Sequence, residues 1–307
     1  MRKLRYHLVD VFTNQPFGGN QLAVFTNGRG LSPKLMQQLA RELNFSETTF
    51  VLPPQAAAND FWVRIFTPAV EMPMAGHPTV GTAFVLALEK LLDDSGPETT
   101  IRFEEGVGVI PVRVQWQNKQ PALIMMSQPL PEFGPEFTHR GVIAEMLSLD
   151  PGEIDPSYPL QVVSCGLPFL YVPLTSLAAL RRVKLRYDLW EQHLQDFASP
   201  HLFVFTLETE LEKSAVHCRM FAPALGIAED PATGAASGPL GCYLVKYGLI
   251  DGRSEEKVSF ISEQGFEMGR PSLIHIEIEQ AGEHITAVTV GGQCVYMGEG
   301  YFELSEA

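Results

Sequence analysis

The chain contains an internal repeat, and this feature restricts its possible folds more than any other. One copy starts at Arg64 and reads RIFTPAVEMPMAGHPTVGTA; the other starts at Arg219 and reads RMFAPALGIAEDPATGAA. Our alignment of the two places Gly76-His77-Pro78 on Glu229-Asp230-Pro231. Each copy combines a strand-like run, a loop and the start of a helix. Self-similarity across all three elements predicts two domains with the same internal architecture.

The helix in each copy is predicted to be buried along its length. After Pro78 the chain reads TVGTAFVLALEKLL, and after Pro231 it reads ATGAASGPLGCYLVKYG. Neither segment has the charged face that a surface helix shows towards water. A soluble domain holds such a helix when a sheet wraps around it, so we expect one buried helix inside a sheet in each half.

Runs of apolar and β-branched residues predict strands in both halves. A surface helix is expected after the N-cap Ser32 and Pro33, and the stretch 176–197 also has a helical pattern. Strands joined by short turns, with one buried helix per half, indicate an α+β fold. The predicted strands are 6–12, 21–25, 48–52, 61–66, 160–163, 169–172, 201–207, 215–221, 257–261, 273–278, 285–290 and 293–297.

The composition argues against several classes of function. The chain has 307 residues and a net charge of −14, which disfavours binding to nucleic acid. It has no apolar run long enough to span a membrane and no signal-peptide pattern, so we expect a cytoplasmic location. Neither a dinucleotide fingerprint nor a phosphate-binding loop is present, which indicates no cofactor. The four cysteines lack metal-ligand spacing, so no metal and only reduced, buried thiols are expected.

The two helix starts predict a binding site for an anion. Pro78 and Pro231 suit the first helical position, which would make His77 and Asp230 the N-caps. If the domains face each other, both helix N-termini point into one cleft, where free N–H groups attract a carboxylate. A chain with a charge of −14 needs such local positive potential to bind an anionic substrate.

Glu47 is the candidate acid/base. It lies between the first predicted helix and an apolar strand, in the run NFSETTF. Partial burial there would raise the pKa of a carboxyl group and suit it to proton transfer near neutral pH. Each candidate has a simpler explanation: Glu47 as a surface residue, His77 as an incidental helix-start residue, and Asp230 as only a helix cap.

Four motifs in order along the chain resemble the PhzF-like family, the phenazine biosynthesis-like proteins. They are DVFTNQPFGGNQLAVF, RELNFSETTFV, and the two repeat segments that start at Arg64 and Arg219. The resemblance implies a diaminopimelate epimerase-like fold, in which two similar domains each wrap a curved, mostly antiparallel sheet or barrel around a central helix. It also implies a homodimer, and domains at 1–128 and 129–287, with a final strand at about 288–307 returning to the first domain.

The resemblance further implies an isomerase that needs no cofactor and moves a proton on a small carboxylated substrate. The family's catalytic Glu, His and Asp match Glu47, His77 and Asp230. The motif positions expected to bind substrate are Asn20, Ser46, Gly76, Thr233, Gly234 and Ala235. The chain departs from the phenazine enzyme at Ala235, where that enzyme has a Ser, so one hydrogen bond to a phenazine precursor is expected to be missing.

Two other functions compete with this interpretation. Related epimerases and racemases use two bases and carry one Cys at each helix start, whereas this chain has His77 and Asp230 in those places of our alignment. A non-catalytic member would keep the cleft to bind a metabolite or a protein. Exchange with inversion in D₂O would favour the epimerase, and tight binding without turnover would favour the binding protein.

Overall fold

The computed structural model describes residues 2–250 and 256–304. The chain divides into two compact units: unit 1 is Met1–Ser127 with Gly291–Ala307, and unit 2 is Gln128–Val290. Within the described ranges, no helix is long and apolar enough to cross a membrane.

The described residues form eighteen strands and six α-helices. The strands are β1 (Arg2–Val11), β2 (Asn20–Phe25), β3 (Glu47–Leu52), β4 (Phe61–Phe66), β5 (Glu71–Met72), β6 (Glu98–Glu105), β7 (Gly108–Gln117), β8 (Gln120–Gln128), β9 (Glu132–Glu136), β10 (Gln161–Ser164), β11 (Pro168–Pro173), β12 (Leu202–Thr206), β13 (Val216–Ala222), β14 (Ile227–Asp230), β15 (Lys257–Gln264), β16 (Ser272–Ala281), β17 (His284–Gly292) and β18 (Cys294–Leu304). The helices are α1 (Pro33–Leu43), α2 (Gly76–Leu88), α3 (Arg140–Met146), α4 (Leu177–Arg182), α5 (Tyr187–His193) and α6 (Gly234–Tyr247).

Unit 1 is a sheet that encloses α2. Strand β1 is antiparallel to β2 and β18; β2 and β3 are parallel; β3 and β4 are antiparallel. Strand β4 is antiparallel to β5 and parallel to β6. Strand β6 is antiparallel to β7, and β7 is antiparallel to β8. Helix α2 packs against β1, β2, β3, β7 and β18. All of its residues from Gly76 to Ala87 are buried, which confirms the prediction from its apolar sequence.

Unit 2 repeats this order of elements. Strands β11 and β12 are parallel, β12 and β13 antiparallel, and β13 pairs with β14 and, in parallel, with β15. Helix α6 packs against β10, β11 and β16 and is buried from Gly234 to Val245. The predicted helical stretch 176–197 forms α4 and α5, which pack with α3 on the other face of β10–β12. The α+β class with one buried helix in each unit is therefore confirmed.

Most predicted strands are present with shifts of a few residues at their ends. The predicted helix after Ser32 is also confirmed, because the Ser32 side chain accepts a hydrogen bond from the backbone N–H of Leu35. Besides the short β5 and β14, the sequence analysis missed the four strands β6–β9, of which β6 and β9 carry charged residues on their exposed sides. Pairing with neighbouring strands, which a single sequence does not display, stabilises these four strands.

The glycine at position 81 lets α2 approach the sheet of unit 1, and this contact can be tested. A Cβ atom at Gly81 would lie 2.6 Å from Cδ2 of Leu22 and 2.7 Å from Cγ2 of Val11. We expect Gly81→Ala to lower the free energy of unfolding by about 1–3 kcal/mol, because the packed neighbours must move. Urea unfolding measures this change. Gly141→Ala is the control, since Gly141 is helical and a Cβ there meets nothing within 4 Å; equal stability of the two variants would contradict the packing argument.

Candidate active site

Glu47 and His77 lie together in unit 1. Glu47 opens β3 directly after the turn that follows α1, and His77 is the second residue of α2. Oε2 of Glu47 lies 3.4 Å from Nε2 of His77, and the two residues are only 9% and 4% exposed. The expectation that Glu47 is at least partly desolvated is confirmed. A carboxyl group and an imidazole in contact, away from bulk water, can pass a proton between them.

Burial favours the neutral form of the His77 imidazole, and its contacts favour one tautomer. Burial lowers the pKa of His77 to about 3, against the opposing effect of a hydrogen bond to the backbone of Gln21. A hydrogen bond that raises the pKa of an imidazole is one in which a ring N–H donates, so the Gln21 carbonyl accepts it. Nε2 makes no hydrogen bond to any described residue, so the donor is Nδ1. The lone pair of Nε2 therefore faces Glu47.

Three of the predicted substrate-binding residues lie beside this pair. Asn20 is the first residue of β2, which pairs in parallel with β3 so that Leu22 lies opposite Glu47. The hydroxyl of Ser46 donates a hydrogen bond to Oδ1 of Asn20 at 3.3 Å. Gly76 is the first residue of α2. Unit 1 thus brings together every predicted site residue that lies in its part of the chain.

Asp230 and Thr233 form a closed turn in unit 2. Asp230 is the last residue of β14 and is 5% exposed. The hydroxyl of Thr233 donates to Oδ2 of Asp230 at 2.5 Å. Gly234 and Ala235, the other predicted residues of this unit, are the first two residues of α6. The side chain of Gln128 donates to the carbonyl of Gly234 at 3.0 Å.

Gln264 holds this turn, and the sequence analysis did not single it out. Its Nε2 donates to the backbone carbonyl of Asp230 at 2.7 Å and to the hydroxyl of Thr233 at 3.0 Å. Its Oε1 accepts a hydrogen bond from the backbone N–H of Thr233 at 3.2 Å. The sequence carries a signal for this residue: EEG at 104–106 and EQG at 263–265 end equivalent strands in the two units.

The predicted N-caps were wrong, and so was the alignment of the repeats. The residues before the two helices are Ala75 and Thr233, whereas His77 lies inside α2 and Asp230 ends a strand. The cause is an insertion in unit 2, where the segment 223–228 is three residues longer than its counterpart 68–70 in unit 1. This segment pairs with the preceding strand in both units before the helix begins.

The register of the strands shows which residues of the two repeats correspond to each other. Ile65 pairs with Met72, and Met220, the counterpart of Ile65 in the repeat, pairs with Asp230. EMPMAG at 71–76 therefore corresponds to EDPATG at 229–234. Two arginine–glutamate pairs agree with this register, since each arginine binds its glutamate through two hydrogen bonds of 2.7–2.8 Å: Arg64 with Glu71, and Arg219 with Glu229.

In this register the counterpart of His77 is Ala235, which has no ionisable group. Ser237, two residues further on, does not supply the hydroxyl that is absent at Ala235. It is fully buried, and its Oγ donates to the carbonyl of Thr233 at 2.9 Å. The hydroxyl group that is missing at Ala235 is therefore not replaced by that of Ser237.

A cavity within unit 2 lies apart from these residues. It has a volume of about 760 Å³, and its lining includes Phe133, Lys246 and His284 but none of the predicted site residues. The candidate site is therefore defined by the predicted residues described above and not by this cavity.

Comparison with known proteins identifies related sequences across nearly the whole chain. The family model described as phenazine biosynthesis-like protein matches residues 9–300. The trans-2,3-dihydro-3-hydroxyanthranilate isomerase of Pseudomonas aeruginosa is 36% identical over 296 residues, which cover 96% of this chain and 98% of that enzyme. Further curated relatives are named uncharacterized isomerases.

Solved structures share the fold. The Bacillus anthracis phenazine biosynthesis protein of the PhzF family matches with a TM-score of 0.89 and 28% identity, covering 99% of this chain and all of that one. A hydroxyproline epimerase from Agrobacterium vitis, solved with trans-4-hydroxy-L-proline, matches with a TM-score of 0.67 and 12% identity over 98% of this chain and 91% of its own. At that identity the epimerase supports the fold alone.

Proposed function

Because the chain belongs to the phenazine biosynthesis-like family of isomerases, we propose that it moves a proton between two carbons of a small carboxylated metabolite without a cofactor. The observation that carries this proposal is the buried pair in unit 1, in which Glu47 lies 3.4 Å from a neutral His77. One carboxylate can act first as the base and then as the acid, because taking up the proton converts one role into the other.

The proposed reaction has two proton transfers. The Glu47 carboxylate removes a proton from an acidic C–H bond of the substrate, and the bonding electrons spread into the substrate's conjugated system. Glu47, now protonated, can donate a hydrogen bond to the lone pair of Nε2 on His77, which holds the acid in place. It then returns the proton to a different carbon, so enzyme and solvent end unchanged.

We propose that the remaining predicted residues bind the substrate. The N-caps Ala75 and Thr233 make no side-chain hydrogen bond to their helices, so the first N–H groups of α2 and α6 are suited to the substrate carboxylate. Asp230, held by Thr233 and Gln264, would stabilise the polar intermediate. In unit 1, Asn20 and Ser46 would contact the substrate beside Glu47.

Two features favour one carboxylate base over the paired thiols of an epimerase. Neither helix starts with a cysteine, and the position equivalent to His77 is Ala235. Cys242 lies well inside α6 and is fully buried. A second base at the helix starts is therefore missing from this chain.

A homodimer and a cytoplasmic location are further parts of the proposal, the first of which light scattering tests directly.

Turnover in D₂O tests the reaction. The purified chain, dialysed against a chelator, is incubated with trans-2,3-dihydro-3-hydroxyanthranilate and with a panel of small unsaturated carboxylates, and products are followed by NMR. We expect a double bond to move in at least one substrate, with deuterium on the carbon that gains the proton in those turnovers in which the protonated Glu47 exchanges with solvent before it returns the proton. Inversion at a single carbon of an amino acid would instead establish the epimerase, and tight binding without exchange would establish a binding protein.

A further inference from the structure

Glu105 is a buried carboxyl group that contacts the first turns of α2 and that the proposed reaction does not use. It is the last residue of β6 and is 7% exposed. Its Oε1 lies 2.6 Å from Oγ1 of Thr79, which follows His77 by two residues on α2. A change at Glu105 therefore reaches the segment that carries His77 through a single hydrogen bond.

The hydroxyl of Thr79 has one hydrogen and lies between two oxygen atoms. Oγ1 is 2.7 Å from the backbone carbonyl of Ala75 and 2.6 Å from Oε1 of Glu105. The carbonyl can only accept, so when the hydroxyl donates to Ala75, Glu105 must be protonated to donate in turn to Thr79. An ionised Glu105 would make two acceptors compete for one hydrogen. Both contacts are satisfied together only by the neutral acid.

The hydroxyl bond also reinforces a weak part of the helix. The backbone N–H of Thr79 is 3.4 Å from the carbonyl of Ala75, which is long for a hydrogen bond. In α6 the equivalent Ser237 makes the same hydroxyl bond to the carbonyl of Thr233, at 2.9 Å. The bond from hydroxyl to carbonyl thus recurs in unit 2, where the strand position of Glu105 is occupied by Gln264, which bonds Thr233 and the carbonyl of Asp230.

Glu105 and Gln264 occupy equivalent positions. Each ends its strand, and each is followed by a glycine that approaches the proline of the Glu-x-Pro segment. A Cβ atom at Gly106 would lie 2.7 Å from Cα of Pro73, and one at Gly265 would lie 2.5 Å from the carbonyl of Pro231. An amide always carries its hydrogens, whereas a carboxyl group donates only when protonated.

We propose that Glu105 is a positioning residue of the candidate site: as a neutral carboxylic acid it donates to Thr79 and so fixes the start of α2, with Gly76 and His77. Gln264 does the same for Asp230 and Thr233 with an amide, which cannot be switched by pH. The effect on turnover rests on the proposed function; the protonation of Glu105 and the order of the helix do not.

The surroundings of Glu105 are consistent with a neutral acid. Burial raises the pKa of Glu105 to about 8 and outweighs the contact with Thr79, which acts to lower the pKa; no described charge contributes. Arg64 and Glu71 bind each other, and His77 is neutral. The titratable side chains on β6 and on the elements packed against it are Arg64 on β4, Glu71 on β5, His77 on α2, Arg113 on β7, and Glu98, Arg102 and Glu104 on β6 itself.

The raised pKa of Glu105 determines the direction in which the stability of the fold changes with pH. A carboxyl group in the unfolded chain ionises near pH 4.5, whereas Glu105 in the folded chain keeps its proton up to about pH 8. The stabilisation linked to that proton is fully present below about pH 4.5 and is lost as the pH rises through about 8. Glu105→Gln removes this dependence, so its melting temperature should exceed that of the wild type by more at pH 8 than at pH 5.

Infrared difference spectra and pH profiles of Glu105→Gln and Glu105→Ala test the proposal. Wild type minus Glu105→Gln should show the carbonyl band of a neutral carboxylic acid at pH 7 that disappears by pH 10. Glu105→Ala should lower turnover by about ten-fold or more through misplacement of His77, while Glu105→Gln restores it to within about three-fold. Turnover of the wild type should fall between pH 7 and 9 as Glu105 ionises. Glu105→Gln should not show this fall.

Glu98→Gln is the control for both measurements. Glu98→Gln changes an exposed carboxyl group on the same strand and should produce no neutral-acid band and no change in turnover. A carboxylate band for Glu105 at pH 7, or full turnover in Glu105→Ala, would overturn the proposal. If no substrate turns over, the isomerase proposal fails, but the infrared band and the hydrogen exchange of the first α2 amides in Glu105→Ala still decide the role of Glu105.

Discussion

Glu47→Gln is expected to lower turnover by about a hundred-fold or more, the usual size of a general acid/base contribution. The amide has nearly the same shape as the carboxyl group but cannot take a proton from carbon. Since Glu47 is buried beside Nε2 of His77, the amide N–H can still donate to that nitrogen and the local packing persists. The measurements are the rate of isomerisation and the rate of deuterium exchange into the substrate, together with the melting temperature.

Glu42→Gln is the matched control, because Glu42 is an exposed carboxyl group on α1, five residues earlier. It should leave both rates and the melting temperature unchanged. A Glu47→Gln variant with full turnover would remove Glu47 from the mechanism. A variant that loses exchange and isomerisation to the same extent places the defect in the first proton transfer, as the one-base mechanism requires.

His217→Ala is expected to lower the free energy of unfolding by about 3–5 kcal/mol, because it removes the partner of one buried and one partly buried carboxylate. His217 is fully buried on β13, with Nδ1 2.7 Å from Glu263 and Nε2 3.1 Å from Glu267. Glu263 also accepts hydrogen bonds from the backbone N–H groups of Glu210 and Leu211. The next residue after Glu263 is Gln264, so this cluster also anchors the strand that holds Asp230.

The pH dependence distinguishes this cluster from simple packing. Burial lowers the pKa of His217, but its hydrogen bonds to Glu263 and Glu267 outweigh burial and raise the pKa to about 9. Its contribution is thus present below about pH 6.5 and lost as the pH rises through about 9. Burial acts to raise the pKa of Glu263 and of Glu267, yet the bonds from His217 leave both lowered, so their contribution is lost in acid.

Urea unfolding at several pH values measures this prediction. The difference between wild type and His217→Ala should be largest near pH 7 and smaller both in acid and above pH 9. His284→Ala replaces an exposed histidine of the same unit and should show no such difference. A loss in His217→Ala that stays constant from pH 5 to pH 10 would mean that the imidazole acts by filling space and not by its charge.

Local patterns were sufficient to identify several elements. Ser32 and Pro33 define the start of α1 through a cap that depends only on neighbouring residues. The absence of a polar face predicted the burial of α2 and α6 before any contact was known. The start of α6 was misjudged because Pro231 lies in a loop fixed by Ser272 and Gln264, which are distant in sequence.

The sequence by itself determined the α+β class, the two-fold repetition, the family, and the residue types available for the chemistry, because these depend on composition and short motifs. Tertiary structure decided that Ala235 and not Asp230 is the counterpart of His77, that Glu47 lies 3.4 Å from the His77 imidazole, and that Glu105 and Gln264 end equivalent strands. Strand register and burial set those relations. Both arise from contacts between residues far apart in the chain, which no local pattern encodes.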